Sequence, residues 1–241
     1  MLAQCSLADY AHQVATRLTP DEEARQNLLE RIAFAYETSK FDDKDEQFLP
    51  TERLGELISM DVIRNVLGLT DNNPFSKPET EQLIGWIHDN AARVFAITIL
   101  CNVSREGAIA SMINFLRPTV NFKDSDLPIP NPRLTSPPTT PTYFQDVKRF
   151  WNLTQIGQFY DTQWKFLAPI FRPGVYEYDL EPDCILPFTR KDKLTRVGGF
   201  SNVYKVHIHA KHCQMDGIGE VRQCRFQLLV RSILTTSSSS L

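Results

Sequence analysis

The chain lacks a broad charge of one sign, a long apolar run and any close pair of cysteines, and each shortage removes a class of function. Lysine and arginine number 26 against 29 aspartates and glutamates, a net charge of −3. No basic field is present to hold a polyanion, so nucleic acid and anionic membrane are set aside as partners. The longest apolar stretch, Ala92 to Val103, is interrupted by Arg93 and is too short to span a bilayer. The opening residues MLAQCSLADY show neither the basic segment nor the apolar core of a secretory leader. The cysteines Cys5, Cys101, Cys184, Cys213 and Cys224 are scattered and odd in number, without a CxxC pair. That pattern predicts reduced thiols and a cytoplasmic or nuclear protein. Asn102-Val103-Ser104 and Asn152-Leu153-Thr154 match the glycosylation pattern, but without a leader they read as ordinary surface sequence.

What is present is ordinary for a globular protein: 42% apolar and 23% charged residues over 241 positions, enough to build a core. Leu7, Tyr10, Ala11, Val14 and Leu18 recur at helical spacing after Ser6. Thr19-Pro20-Asp21-Glu22 is a capping box with proline at the first helical position, opening a helix with Leu28, Leu29 and Ile32 inward and an end near Ser39. Phe41 to Glu46 gathers four carboxylates; without an apolar pocket such a cluster reads as a solvated turn. A helix over Leu54, Leu57 and Ile58 continues or restarts through Val66 and stops at Gly68. Ser76-Lys77-Pro78-Glu79 opens the longest helix, carried through to Ile99, whose second half is apolar on nearly every side and is expected at the centre of a bundle. His88-Asp89 lies on its polar face with no nucleophile beside it and reads as surface. Ser104 caps a further helix ending near Leu116. Residues 1–117 are therefore expected to form an all-α domain.

Seven of the fifteen prolines fall between Pro118 and Pro141, so residues 118–142 are expected to be a linker. They include a PxxP match at Pro138 to Pro141 and the proline-directed positions Ser136 and Thr140, read as spacer. Residues 143–190 are an aromatic-rich connector, with a helix expected over Phe144 to Leu153 and an extended run over Thr162 to Phe171. Trp151 and Trp164 are read as core and not as stacking platforms.

Tyr204, Val206, Ile208 and Ala210 alternate with Lys205, His207, His209 and Lys211, the pattern of a strand with one buried face. His207, His209, His212 and Cys213 concentrate metal-ligand types, and two histidines two apart on a strand share a face. The polar face of a strand explains that pair equally well, and the fourth ligand is poorly placed. No metal is therefore assigned.

Val197-Gly198-Gly199-Phe200-Ser201-Asn202-Val203 resembles the glycine-rich loop of a protein kinase, GxGxxGxV, which joins two strands over nucleotide phosphates. Arg196 stands at the first glycine, Gly198 at the second, Ser201 at the third and Val203 at the valine. The segments 91–97, 124–129, 163–171 and 185–188, in this order before the loop, are similar to those of certain fungal protein-kinase-like proteins, in which a helical region precedes the kinase domain. The resemblance implies a mainly α chain: helical domain, proline-rich linker, then a small α+β part with the first hairpin of a kinase N-lobe in residues 191–223. It also implies a degenerate nucleotide site at Val197, Gly198, Gly199, Phe200, Ser201 and Val203, with ATP and magnesium as the family's cofactors, neither of them expected to bind tightly to this chain. No HRD, DFG or APE triplet occurs and the last lysine is Lys211, so no catalytic residue is assigned. Where the family continues with a lysine-bearing strand, the chain has Cys224 to Arg231 and then a Ser/Thr end. Residues 224–241 are thus expected to be a divergent, disordered tail of a truncated product. The resulting expectation is a kinase-related chain without catalysis. The alternative is a regulatory or interaction protein that binds a protein partner through its helical domain.

Overall fold

A computed structural model describes residues 18–41, 44–70, 74–133, 141–172, 174, 175, 178–192, 196, 197, 201–214 and 224–231, with side chains omitted for 196, 197, 201–204 and 224–231. The helix expected over 7–18, except for its last residue, the loop positions Gly198, Gly199 and Phe200, and the two proline-directed sites fall outside these residues, and the loop positions Val197, Ser201 and Val203 fall outside the described side chains. The protein is mainly helical, with small antiparallel sheets. Among the described residues no helix is long and apolar enough to cross a membrane. The chain divides into two compact units, one of Met1–Ala35 with Arg53–Gln163 and one of Tyr36–Glu52 with Trp164–Leu241.

The first unit is helical: α1 (Pro20–Ala35), α2 (Arg53–Leu57), α3 (Met60–Val66), α4 (Lys77–Asn90), α5 (Ala92–Leu100), α6 (Arg105–Leu116) and α7 (Leu153–Gln163). Local sequence starts most of them. Glu22 accepts from the Thr19 backbone at 2.8 Å ahead of α1, and Ser76 and Glu79 form the full capping box of α4. Gly68 follows α3 with φ +61, the left-handed conformation that favours glycine. The helix expected to run from Ser76 to Ile99 is instead two helices, interrupted at Ala91. The second of them, α5, has every residue from Val94 to Ile99 buried, as its all-round apolar sequence requires.

Residues 118–133 and 141–163 also belong to this unit, so neither the linker nor the connector has the expected boundaries. Prolines prevent regular elements here, but they do not prevent burial. Phe122, Phe144, Trp151 and Phe159 are at most 4% exposed, and Phe122 stacks on Tyr143 with centroids 4.3 Å apart. The buried Gln163 amide accepts from Ile129 N at 2.7 Å and donates to Ile129 O at 3.2 Å. Arg133 grips Asp161 through two bonds of 2.8 and 2.6 Å. The helix expected over 144–153 begins later, at Leu153, and a 3-10 turn, Thr142–Val147, precedes it. Asn152 and Gln155 explain the shift: each side chain accepts from the other's backbone N–H, at 2.8 and 3.1 Å. This reciprocal cap fixes where the helix starts.

The second unit contains β1 (Glu37–Thr38) and β2 (Gln47–Phe48), paired antiparallel, and β3 (Phe188–Lys191), β4 (Arg196–Val197), β5 (Ser201–Ile208) and β6 (Cys224–Arg231). Helix α1 stops before Tyr36, short of its expected end, because the chain enters this unit there. Ser39 Oγ donates to Leu186 O at 2.6 Å, Lys40 N donates to Phe188 O at 2.7 Å, and Leu49 N donates to Lys165 O at 2.7 Å. Phe171, Phe188, Val206 and Ile208 form the buried core beside the sheet.

Candidate functional site

The glycine-bearing segment lies between two paired strands. Arg196 stands opposite Val203 and Val197 opposite Asn202, antiparallel. β6 pairs with β5 along its whole length, from Ser201 opposite Arg231 to Ile208 opposite Cys224. A strand has two edges, so β3, which pairs with positions 206–208, and β4 both lie along the other edge. Asp192 N donates to Lys205 O at 2.8 Å, just beyond the end of β3. Residues 224–231, expected in a disordered tail, are strand β6; their β-branched and aromatic content, Phe226 and Val230 included, suits a ladder that β5 offers.

One face of β5 is apolar, through the buried Val206 and Ile208. The other carries charge. Asp192 Oδ1 is 2.8 Å from Arg190 Nε, and its Oδ2 is 3.4 Å from Lys205 Nζ and 3.9 Å from His207 Nε2. Partial burial acts to raise the Asp192 carboxyl, but Arg190, Lys205 and His207 outweigh it and hold the group below its ordinary value. Lys191 turns elsewhere, donating to Phe41 O with its Nζ 4.8 Å above the Phe41 ring. His207 is only 6% exposed, so the end of β5 is covered on both faces and not on one as its alternation predicts. A neighbouring carboxylate, invisible in the local pattern, makes that burial tolerable.

The histidines do not converge. His209 Nε2 lies 3.3 Å from Glu37 Oε1. His212 Nδ1 is 3.0 Å from Pro169 O, and its Nε2 is 3.3 Å from Thr51 Oγ1. Burial pushes the His212 imidazole below its ordinary value, against the opposing pull of the Pro169 carbonyl. Both rings meet Phe48 edge-on, at 5.9 and 5.4 Å. Among the described residues no three His, Cys, Asp or Glu side chains are grouped to hold a metal ion. The reduced-thiol expectation holds for Cys101 and Cys184. It fails for Cys213, which is disulfide-bonded, because sequence spacing does not reveal which thiols a fold brings together. Burial, and after it Asp161, pushes the Cys101 thiol up, and burial with Glu181 pushes Cys184 up to about 11. Neither is an activated nucleophile.

The helical unit has a feature that sequence periodicity does not show: an open cleft of about 640 Å³ lined by Asp21, Ala24, Arg31, Val66 and Arg105 among others. Arg105 is shared between Asp21 and Glu106, each at 3.4 Å. His88 and Asp89 are exposed neighbours 2.7 Å apart, a surface pair as expected. Of the four carboxylates of the Phe41 to Glu46 turn, the described ones are the exposed Asp45 and the half-buried Glu46. Trp151 donates to Ser111 Oγ at 2.8 Å and is core, and Trp164 is 7% exposed. No protein-family model, curated protein or solved structure matches the chain.

Proposed function

We propose that this chain of 241 residues is related to protein kinases and binds a nucleotide, weakly, at its β4–β5 hairpin without carrying out phosphoryl transfer. One topological observation carries this reading. Strands β3 and β4, the glycine-bearing segment, the long strand β5 and the antiparallel strand β6 follow one another in chain order, with β5 paired to all three of the other strands. That succession suits the opening of a kinase N-lobe. The basic balance around Asp192 suits a phosphate-bearing ligand, with Arg190 and Lys205 against one carboxylate. Magnesium accompanies the nucleotide in such proteins, but no grouped carboxylates are found for it among the described residues, and no step is assigned to it here. The absence of HRD and DFG leaves no residues to propose for catalysis. Thermal melting of the full chain with MgATP tests the reading, since a ligand that binds only the folded state raises its stability. A melting temperature independent of MgATP up to millimolar concentration counts against it.

A second reading, partner binding through the helical unit, is favoured by Phe34, which is 90% exposed on α1. Phe34→Ser should then abolish recovery of a specific protein partner while leaving the melting temperature unchanged.

A further inference from the structure

We propose that a groove in the helical unit binds a fatty acid, with the carboxylate held by Arg149 and the chain laid over one face of α6. The groove is open, about 440 Å³ in volume, and lies within that one unit, lined by Leu67, Leu69, Ile109, Ile113, Arg149 and Phe150 among others. Its volume is that of small-molecule sites, which are mostly apolar with a few polar groups to fix orientation. The inference does not depend on the nucleotide reading, which concerns the second unit.

Helix α6 is apolar on more than its core side. Ala108, Met112 and Phe115 are fully buried, whereas Ile109 and Ile113, one turn apart on another face, are only half-buried and line the groove. An alkyl chain laid on them takes that apolar surface out of water. The charge at the groove selects the other end of the ligand. Its charged lining residues are Arg105, Glu106 and Arg149. Arg105 and Glu106 lie 3.4 Å apart and offset each other, which leaves Arg149 uncompensated. The Arg149 side chain is exposed, with its guanidinium 4.6 Å from the centroid of the Phe150 ring. Stacking of this kind orients the plane and leaves the N–H fork open. Among the described residues no carboxylate or carbonyl takes that fork. One guanidinium beside an apolar floor matches one carboxylate. Apart from the three charged residues the lining carries no polar side chain, so an alkyl chain suits it better than a peptide, whose backbone needs hydrogen-bond partners.

The experiment is calorimetric titration of the full chain with decanoate below its micelle-forming concentration and, separately, with decanol, which has the chain but no charge. Decanoate should bind more tightly than decanol. Arg149→Gln should weaken decanoate about 10- to 100-fold, the size expected for a lost charged contact, and leave decanol unchanged. Ile113→Ser, at a half-buried position, should weaken both ligands while the melting curve stays cooperative. Lys148→Gln removes an equal charge from the neighbouring exposed residue and should change decanoate affinity less than about threefold, as a diffuse surface charge does. Equal decanoate affinity in wild type and Arg149→Gln overturns the assignment of the carboxylate, and equal affinity in Ile113→Ser overturns that of the chain. No decanoate binding by the wild-type chain overturns the site. Binding of a peptide ending in Leu-Leu with a free carboxylate, in place of decanoate, overturns the fatty acid in favour of a chain terminus. Self-association that Ile113→Ser abolishes, without decanoate binding, overturns it in favour of a second copy of the chain.

Discussion

The Asp124 carboxylate accepts a hydrogen bond from the backbone N–H of Val94 at 3.0 Å, while its second oxygen accepts from Arg93 N at 3.0 Å. These N–H groups belong to the first turn of α5, where no intrahelical acceptor exists. A residue thirty positions downstream thus supplies the cap that the local sequence lacks, Ala91 having no side-chain acceptor. Helix α4 can end at Asn90 and α5 begin anew because of this one side chain.

Asp124→Ala should cost about 1–3 kcal/mol, measured by urea unfolding, because two backbone donors lose their acceptor. Asp124→Asn retains one acceptor and should cost less. Burial raises the Asp124 carboxyl above its ordinary value, against the two backbone bonds. The folded state therefore binds this proton more tightly than the unfolded chain does. Its contribution is full below the ordinary carboxylate value, about 4, and is lost as pH rises through the folded value. Asp124→Asn should remove that component of the pH profile; an unchanged profile would show that the carboxylate is not desolvated.

Two helical glycines should respond to alanine with opposite signs. A Cβ on Gly85 of α4 meets nothing within 4 Å, whereas one on Gly107 of α6 meets Val103 Cγ1 at 2.7 Å and Phe150 Cβ at 2.9 Å. Gly85→Ala should stabilise by about 0.5–1 kcal/mol through helix propensity. Gly107→Ala should destabilise by about 1–3 kcal/mol through overpacking. Midpoints from chemical unfolding decide this, and two changes of the same sign would contradict the packing around α6.

His212 should make the second unit acid-sensitive. Burial depresses its imidazole, with Pro169 O, Thr51, His209 and Glu52 around it. The unfolded chain binds the proton better than the fold does, so the contribution is full above the unfolded value, about 6.5. It is lost as pH falls below that value toward the folded one. The melting temperature should drop between about pH 7.5 and pH 5.5, and His212→Gln should flatten that slope. An equal slope in the variant would show that the acid sensitivity does not come from this imidazole.

Sequence alone determined what short-range chemistry controls. Thr19-x-x-Glu22 and Ser76-x-x-Glu79 start helices where their caps place them, Gly68 ends one, and the all-round apolar run of α5 is buried. Asn152-x-x-Gln155 is an equally local signal for the start of α7, which the aromatic spacing ahead of it does not reveal. The strand pattern from Tyr204 to Ile208 was legible because its period of two is a local property. Only the tertiary structure decided the rest. Whether Pro118 to Arg133 is a tether or a packed layer depends on Phe122, Ile129 and their distant neighbours. Whether three histidines meet in a metal site or separate onto Asp192, Glu37 and Pro169 depends on which segments fold against them. That choice is made by contacts between residues tens to more than a hundred positions apart, and periodicity, which compares a residue only with its near neighbours, carries no record of them.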